Sequence, residues 1–120
     1  MQAYTFTSAP IARALAEAKR NGIDVRVILD KGEVTAKYSG ADYLAHAGIP
    51  VLIDRKHAIA HNKVIVVDRI AVETGSFNYT KAAQNSNAEN ALILRDPDLA
   101  QRYANNWQTH ALHSDPYPGR

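Results

Sequence analysis

Short runs rich in β-branched residues recur along this chain and alternate with stretches of helical spacing. That alternation constrains the fold more than any other feature, because strands interleaved with helices bury their apolar faces best as a sheet with helices packed on it. "MQAYTF", "DVRVILD", "IPVLID", "HNKVIVV", "IAVETG" and "ENALILR" read as strands. Ser8 is a good N-cap with Pro10 in the first turn. Ile11, Leu15 and Ala18 then share one face, and Gly22 ends the helix. "ADYLAHAG" predicts a short helix closed by Gly48, whereas "KGEVTAKYSG" predicts an exposed loop. A turn of helix follows from Asn78 to Gln84. Asp96-Pro97 starts a last helix whose Leu99, Tyr103 and Trp107 form a core face. The expected class is α/β, a mixed β-sheet flanked by helices on both faces.

With 120 residues and 46% hydrophobic content, one compact domain is expected, spanning residues 1–112, followed by a loose tail at 113–120 with two prolines and a glycine. The formal charge of +2 is compatible with a nucleic-acid partner without arguing for one. No cysteine is present, which excludes disulfides, thiolate metal sites and a cysteine nucleophile. No apolar run approaches the roughly 20 residues needed to cross a bilayer, and the start lacks the pattern of a signal peptide. The chain as written reads as soluble and unexported, with export reserved for a form carrying an upstream leader.

The strand "HNKVIVV" begins with two groups that are costly to bury. Alternation puts His61, Lys63, Ile65 and Val67 on one face, so imidazole and ammonium emerge about 7 Å apart along the chain. After a turn at Asp68-Arg69, "GSFN" offers Ser76 and Asn78, again two apart. An imidazole, an ammonium, a hydroxyl and an amide converging at a strand end suit a phosphate. Lys63 supplies charge, Ser76 and Asn78 supply neutral donors, and His61 serves as base, acid or nucleophile. Alone, His61 and Lys63 would more often be solvated edge residues. Their spacing decides the matter.

The order His61, any, Lys63, four residues, Asp68, six residues, Gly75, Ser76, any, Asn78 resembles the HKD signature of the phospholipase D superfamily. A chance match is on the order of one in a million, so the catalytic reading outweighs the bland one. "HNKVIVVDRIAVETGSFNYTKAAQNSNAENALIL" is similar to the small bacterial endonuclease branch, with one motif per chain, and the likeness runs from Met1 to about Trp107. The resemblance implies that His61 is the nucleophile that forms a phosphohistidine and that Lys63, Asn78 and Ser76 hold the phosphate. It also makes Glu89 the carboxylate that holds the histidine ring. Asp68, on the opposite strand face by alternation, and Gly75 are structural motif residues.

A nucleophile and an acid for the departing oxygen are both needed, and only one HKD motif is present. His46, His57, His110 and His113 have no matching context: His46 reads as a helix-surface residue, His57 as a loop residue, and the last two as a fraying C-terminus. The second imidazole is therefore expected to be His61 of another copy, in a homodimer with a twofold axis through a shared site. No metal and no cofactor are expected, since the pocket contains one carboxylate and not an acidic cluster. Arg55 and Lys56 precede the motif and are weak candidates for steering a polyanion.

The expected function is a metal-independent phosphodiesterase, an endonuclease acting on DNA and RNA without stable membrane association. One alternative is a phospholipase D-type phospholipid hydrolase. The other is a truncated, non-catalytic nucleic-acid-binding module. Members of the branch usually begin with a further strand and helix, which this chain lacks, so an N-terminal truncation is part of the expectation.

Overall fold

The computed structural model describes residues 1–119. A seven-stranded mixed sheet has the order β6-β5-β4-β1-β2-β3-β7. Its strands are β1 (Gln2–Ala3), β2 (Val27–Asp30), β3 (Val51–Asp54), β4 (Lys63–Val67), β5 (Ala71–Gly75), β6 (Ala91–Arg95) and β7 (Asp115–Pro116). β1, β2 and β3 run parallel. β4, β5 and β6 continue antiparallel from β1, and β7 closes the other edge antiparallel to β3. Parallel neighbours need a crossover, and α1 (Ala9–Arg20) and α2 (Ala41–His46) provide the two. α3 (Lys81–Asn85) and α4 (Pro97–Leu112) complete the set.

The helix boundaries follow local chemistry. Ser8, Thr80 and Asp96 accept backbone N–H groups at the starts of α1, α3 and α4. Gly22 and Gly48, with φ of 85° and 82°, turn the chain after α1 and α2. Within the expected loop after β2, residues Lys31–Val34 form a 3₁₀ turn. The Asp30 carboxylate organises that turn by accepting the Gly32 N–H at 2.8 Å.

Two apolar layers cover the sheet. On one face Phe6, Leu29, Leu44 and Ile53 pack with Ile11 and Leu15 of α1. On the other, Val64 and Val72 pack against Ala100, with Val66, Leu99 and Tyr103 around them. Successive residues of β4 thus split between layers: Val64 and Val66 lie under α4, while Ile65 joins the first cluster. Helices do lie on both faces, as the alternation of elements predicts. Trp107, expected in the core face of α4, is half-buried and donates its indole N–H to the Met1 carbonyl at 3.0 Å.

Three expectations need correction. The first strand is only two residues long, with Phe6 returning as an isolated bridge to Tyr79. In the tail expected to be loose, residues 113–117 are ordered against the sheet: β7 pairs Leu52 with Pro116 and Ile53 with Asp115, and the Tyr117 N–H donates to the Val51 carbonyl at 2.8 Å. Proline there reads as disorder, yet an edge strand has one side without a partner and tolerates it. Nor does the end of α4 fray. His110 in its last turn and His113 at its C-cap sit beside Asp54 at the end of β3, and loop residue His57 joins them.

Candidate active site

His61, Lys63, Gly75 and Ser76 lie where β4 begins and β5 ends, whereas Asp68 lies in the turn at the opposite end of that hairpin. β4 starts at Lys63, so His61 belongs to the preceding loop and not to the expected strand. Its ring is exposed and rests edge-on against Tyr4, with centroids 4.6 Å apart. Among the described residues that ring makes no hydrogen bond. The loop that delivers it is tied down just upstream, because the Ala60 N–H donates to Asp30 Oδ1 at 2.7 Å. Tyr4 is the site residue that the sequence alone does not reveal: its position reads simply as core, and nothing local signals a contact 57 residues away.

Lys63 is 8% exposed, and its ammonium donates to the His61 carbonyl at 2.9 Å. Nζ also stands 5.7 Å from the Tyr4 ring centroid, within cation–π range. Burial lowers the pKa of this lysine, and the nearby Glu89 carboxylate only partly opposes the effect. Its backbone carbonyl accepts the Thr74 hydroxyl at 3.2 Å, which fastens β4 to β5 below the site.

The hairpin connection carries Asp68 and Arg69, with φ of 54° and 57°, and the Ile70 N–H donates to the Val67 carbonyl at 3.0 Å. Asp68 is exposed at this turn, consistent with a role in chain reversal, since Asp tolerates the left-handed conformation. At the other end of β5, a Cβ on Gly75 would meet the Asn90 carbonyl oxygen at 2.2 Å. Only glycine permits that approach, and the approach sets the next residues. The Ser76 N–H donates to the Asn90 carbonyl at 2.9 Å, while Ser76 Oγ accepts the Asn90 N–H at 3.1 Å.

Ser76 Oγ donates to Glu89 Oε1 at 2.6 Å, and Asn87 Nδ2 donates to Glu89 Oε2 at 3.1 Å. These bonds, with Lys63 nearby, hold the Glu89 carboxyl below the usual carboxylate range. Within one chain, therefore, Glu89 grips Ser76 and Asn87 and not the His61 ring that the family likeness assigns to it. The β5–β6 pairing places Ser76 beside Asn90, so this carboxylate meets the serine first.

Asn78 makes no side-chain hydrogen bond among the described residues, and its Oδ1 is buried without a partner. A buried unsatisfied acceptor costs about 1–3 kcal/mol, so the backbone must hold the residue there. Tyr79 does so: its carbonyl accepts the N–H groups of Thr7 and Ser8, and its N–H donates to Thr5. Its buried hydroxyl donates to Glu73 Oε1 at 2.6 Å, and burial pushes both groups' pKa values up.

Arg55 and Lys56 are exposed in the β3–β4 loop, with Arg55 Nε 3.9 Å from Asp115, toward the tail. A hollow of about 670 Å³ lies elsewhere, lined by Met1, Leu15, Ile65 and Trp107 among others. None of His61, Lys63, Ser76, Asn78 or Glu89 lines it. No helix among the described residues is long and apolar enough to cross a membrane.

The family described as "Cardiolipin synthase, PLD-like domain" matches residues 1–111. A protein named phospholipase D from Rickettsia felis is 48% identical over 107 residues, covering 89% of this chain and 54% of its own. Mitochondrial cardiolipin hydrolase of Xenopus laevis is 40% identical over 100 residues, 83% of this chain and 48% of its own. The chain thus spans about half the length of the curated relatives it matches. Among solved structures, the phospholipase D family member Nuc from Salmonella typhimurium superposes with a TM-score of 0.93 at 42% identity, over 98% of this chain and 79% of that one. NucT from Helicobacter pylori gives 0.89 at 26% identity, over 96% and 79%. By sequence and fold, the chain belongs to the phospholipase D superfamily.

Proposed function

We propose that this chain is a metal-independent phosphodiesterase that cleaves nucleic acid, DNA and RNA, as a homodimer with one shared active site. The observation that carries this reading is the exposed, unbonded imidazole of His61 beside a buried lysine. A free ring nitrogen is available to attack phosphorus, forming an N–P bond as the bond to the departing oxygen breaks. Lys63 and Asn78 neutralise and orient the non-bridging oxygens. Water then hydrolyses the phosphohistidine and regenerates the imidazole.

The departing oxygen needs a proton, and among the described residues no second imidazole faces His61. His61 of the partner subunit would supply it, one ring charged and one neutral, titrating as a coupled pair. The same twofold arrangement would give Glu89 its second task, orienting the ring of His61 of the partner subunit. The apolar, exposed β6 beside Glu89, with Leu92 and Ile93 in the open, supports a second copy on this side.

A lipid substrate is the second reading, favoured by the names of the Rickettsia and Xenopus relatives. Against it stand the single motif and the likeness to Nuc over 98% of the chain. The test incubates the protein separately with plasmid DNA, an RNA, and vesicles of phosphatidylcholine or cardiolipin, with His61→Ala alongside. Cleavage of nucleic acid by wild type alone is expected. Lipid turnover without DNA cleavage would move the protein to the second reading, and equal residual activity in His61→Ala would leave only a binding module.

A further inference from the structure

A second polar cluster lies at the C-terminal end of β3, apart from the motif. The Asp54 side chain is fully buried, and three imidazole nitrogens converge on its Oδ2: His57 Nδ1 at 3.0 Å, His110 Nδ1 at 3.1 Å and His113 Nε2 at 3.1 Å. The rings surround one point, with centroid separations of 5.1 Å for His57–His110 and 5.3 Å for the other two pairs. All four ligand atoms lie within 4.8 Å of one another. Asp54 Oδ1 is already engaged by the N–H groups of Lys56 at 2.9 Å and His57 at 3.4 Å.

As a set of hydrogen bonds this cluster is over-subscribed. A carboxylate oxygen offers about two lone pairs, yet three rings would each spend a donor on the same atom. Charging all three rings would set three positive charges side by side around a single carboxylate. A divalent cation among them resolves the conflict, because each neutral imidazole then presents a lone pair. Bonds of about 2.0–2.2 Å to nitrogen and oxygen in a tetrahedron imply ligand separations of roughly 3.3 Å, close to the 3.0–3.1 Å from Asp54 Oδ2 to each ring nitrogen, and binding would draw the ring nitrogens together from within their 4.8 Å limit. The spacings agree too: Asp54-x-x-His57 and His110-x-x-His113 are two short-spaced ligand pairs from distant parts of the chain.

We propose that Asp54, His57, His110 and His113 form a structural site for a divalent transition-metal ion, zinc by ligand type. Four protein donors leave no open coordination position, which marks a structural and not a catalytic role. Backbone N–H groups on Asp54 Oδ1 fix the carboxylate orientation from outside the site. The ion fastens the end of α4 and the tail to the loop that leads to His61. That loop is held at two further points, by Lys31 Nζ on the His57 carbonyl at 3.1 Å and by Asp30 on the Ala60 N–H. The site stands on its own geometry and does not rest on the phosphodiesterase reading.

The test strips the purified chain with a chelator, then titrates it with ZnCl₂ by calorimetry and with CoCl₂ by visible absorption. One ion per chain is expected, with intense tetrahedral cobalt bands and a rise in Tm on zinc addition. His57→Ala, which alters an exposed loop side chain, and the double variant His110→Ala/His113→Ala should weaken uptake on the order of 100-fold. His46→Ala and His61→Ala should bind as wild type does. The wild-type cobalt spectrum remains decisive even where the double variant fails to fold. Substoichiometric uptake, a pale six-coordinate cobalt spectrum, or unchanged binding by His57→Ala overturns the site.

Discussion

Lys63 places its ammonium 2.9 Å from the carbonyl oxygen of His61, two residues earlier in its own chain. The buried ammonium therefore also fixes the backbone that carries the exposed His61 ring, so in the proposed reaction one lysine would serve both the phosphate and the nucleophile's position. Lys63→Met, nearly equal in volume, should lower kcat by about 10²–10³ with little change in the circular dichroism spectrum. Retention of most activity would remove the lysine from the site.

Burial lowers the pKa of Lys63, so its charge is lost at a lower pH than that of a free lysine. The alkaline limb of kcat/KM should fall below the ordinary lysine value of 10.5. Lys63→Arg, whose guanidinium keeps its proton beyond pH 12, should lose that limb in whatever activity remains. For stability the sign is opposite to the usual lysine pair. The unfolded chain binds the extra proton, so stability rises with pH between the folded pKa and 10.5. Chemical denaturation across that window in wild type and Lys63→Met measures the difference.

The Ser76 hydroxyl is the first cause of the depressed Glu89 pKa. Ser76→Ala should raise it, as read from the Glu89 carboxyl resonance in a pH titration. The stability linked to this depression is present above the unfolded value of 4.5 and fades as pH falls through the folded pKa. An unmoved titration would assign the depression to Lys63 and Asn87 instead.

The Tyr4 ring meets His61 edge-on at 4.6 Å. Such contacts are worth about 0.5–1.5 kcal/mol, so Tyr4→Ala should cost roughly 2- to 10-fold in kcat through a less ordered imidazole. Tyr4→Phe should restore most of it. Equal losses in both variants would point to the hydroxyl.

Gly75→Ala must push against the Asn90 backbone, where a Cβ would lie 2.2 Å from the carbonyl oxygen. We expect a loss of about 1–3 kcal/mol in stability and a larger proportional loss of activity, since Ser76 and Glu89 move with that contact. Thermal unfolding and turnover measured together separate the two effects.

Chelation tests the chemistry at His61. In His57→Ala, which lacks one ligand of the Asp54 cluster, phosphodiesterase turnover should be indifferent to excess EDTA and should not rise with Mg²⁺. Loss in EDTA that Mg²⁺ restores, with Tm unchanged throughout, would contradict a metal-free displacement.

Local rules carried the sequence reading a long way. Ser8 and Asp96 cap the helices they announce, and the Val64–Val67 run and the turn after it form the hairpin that positions the motif. Long-range geometry escaped it. His61 lies outside its strand because the chain ahead is anchored to Asp30, which no alternation pattern encodes. Glu89 is assigned by likeness to a ring, but strand register gives it to Ser76. His110 and His113 read as frayed because their partners, Asp54 and His57, are more than fifty residues away and two prolines follow them.

The two edges of the sheet have unequal prospects. β7 is two residues long and carries Pro116, which has no N–H to offer a newcomer. β6 is exposed along all five residues. A fibre built by strand addition needs two receptive edges, one for each neighbour, and the described residues offer one. Strand addition between two such sheets would join β6 to another β6, an isologous contact that is satisfied at two copies and leaves nothing to propagate.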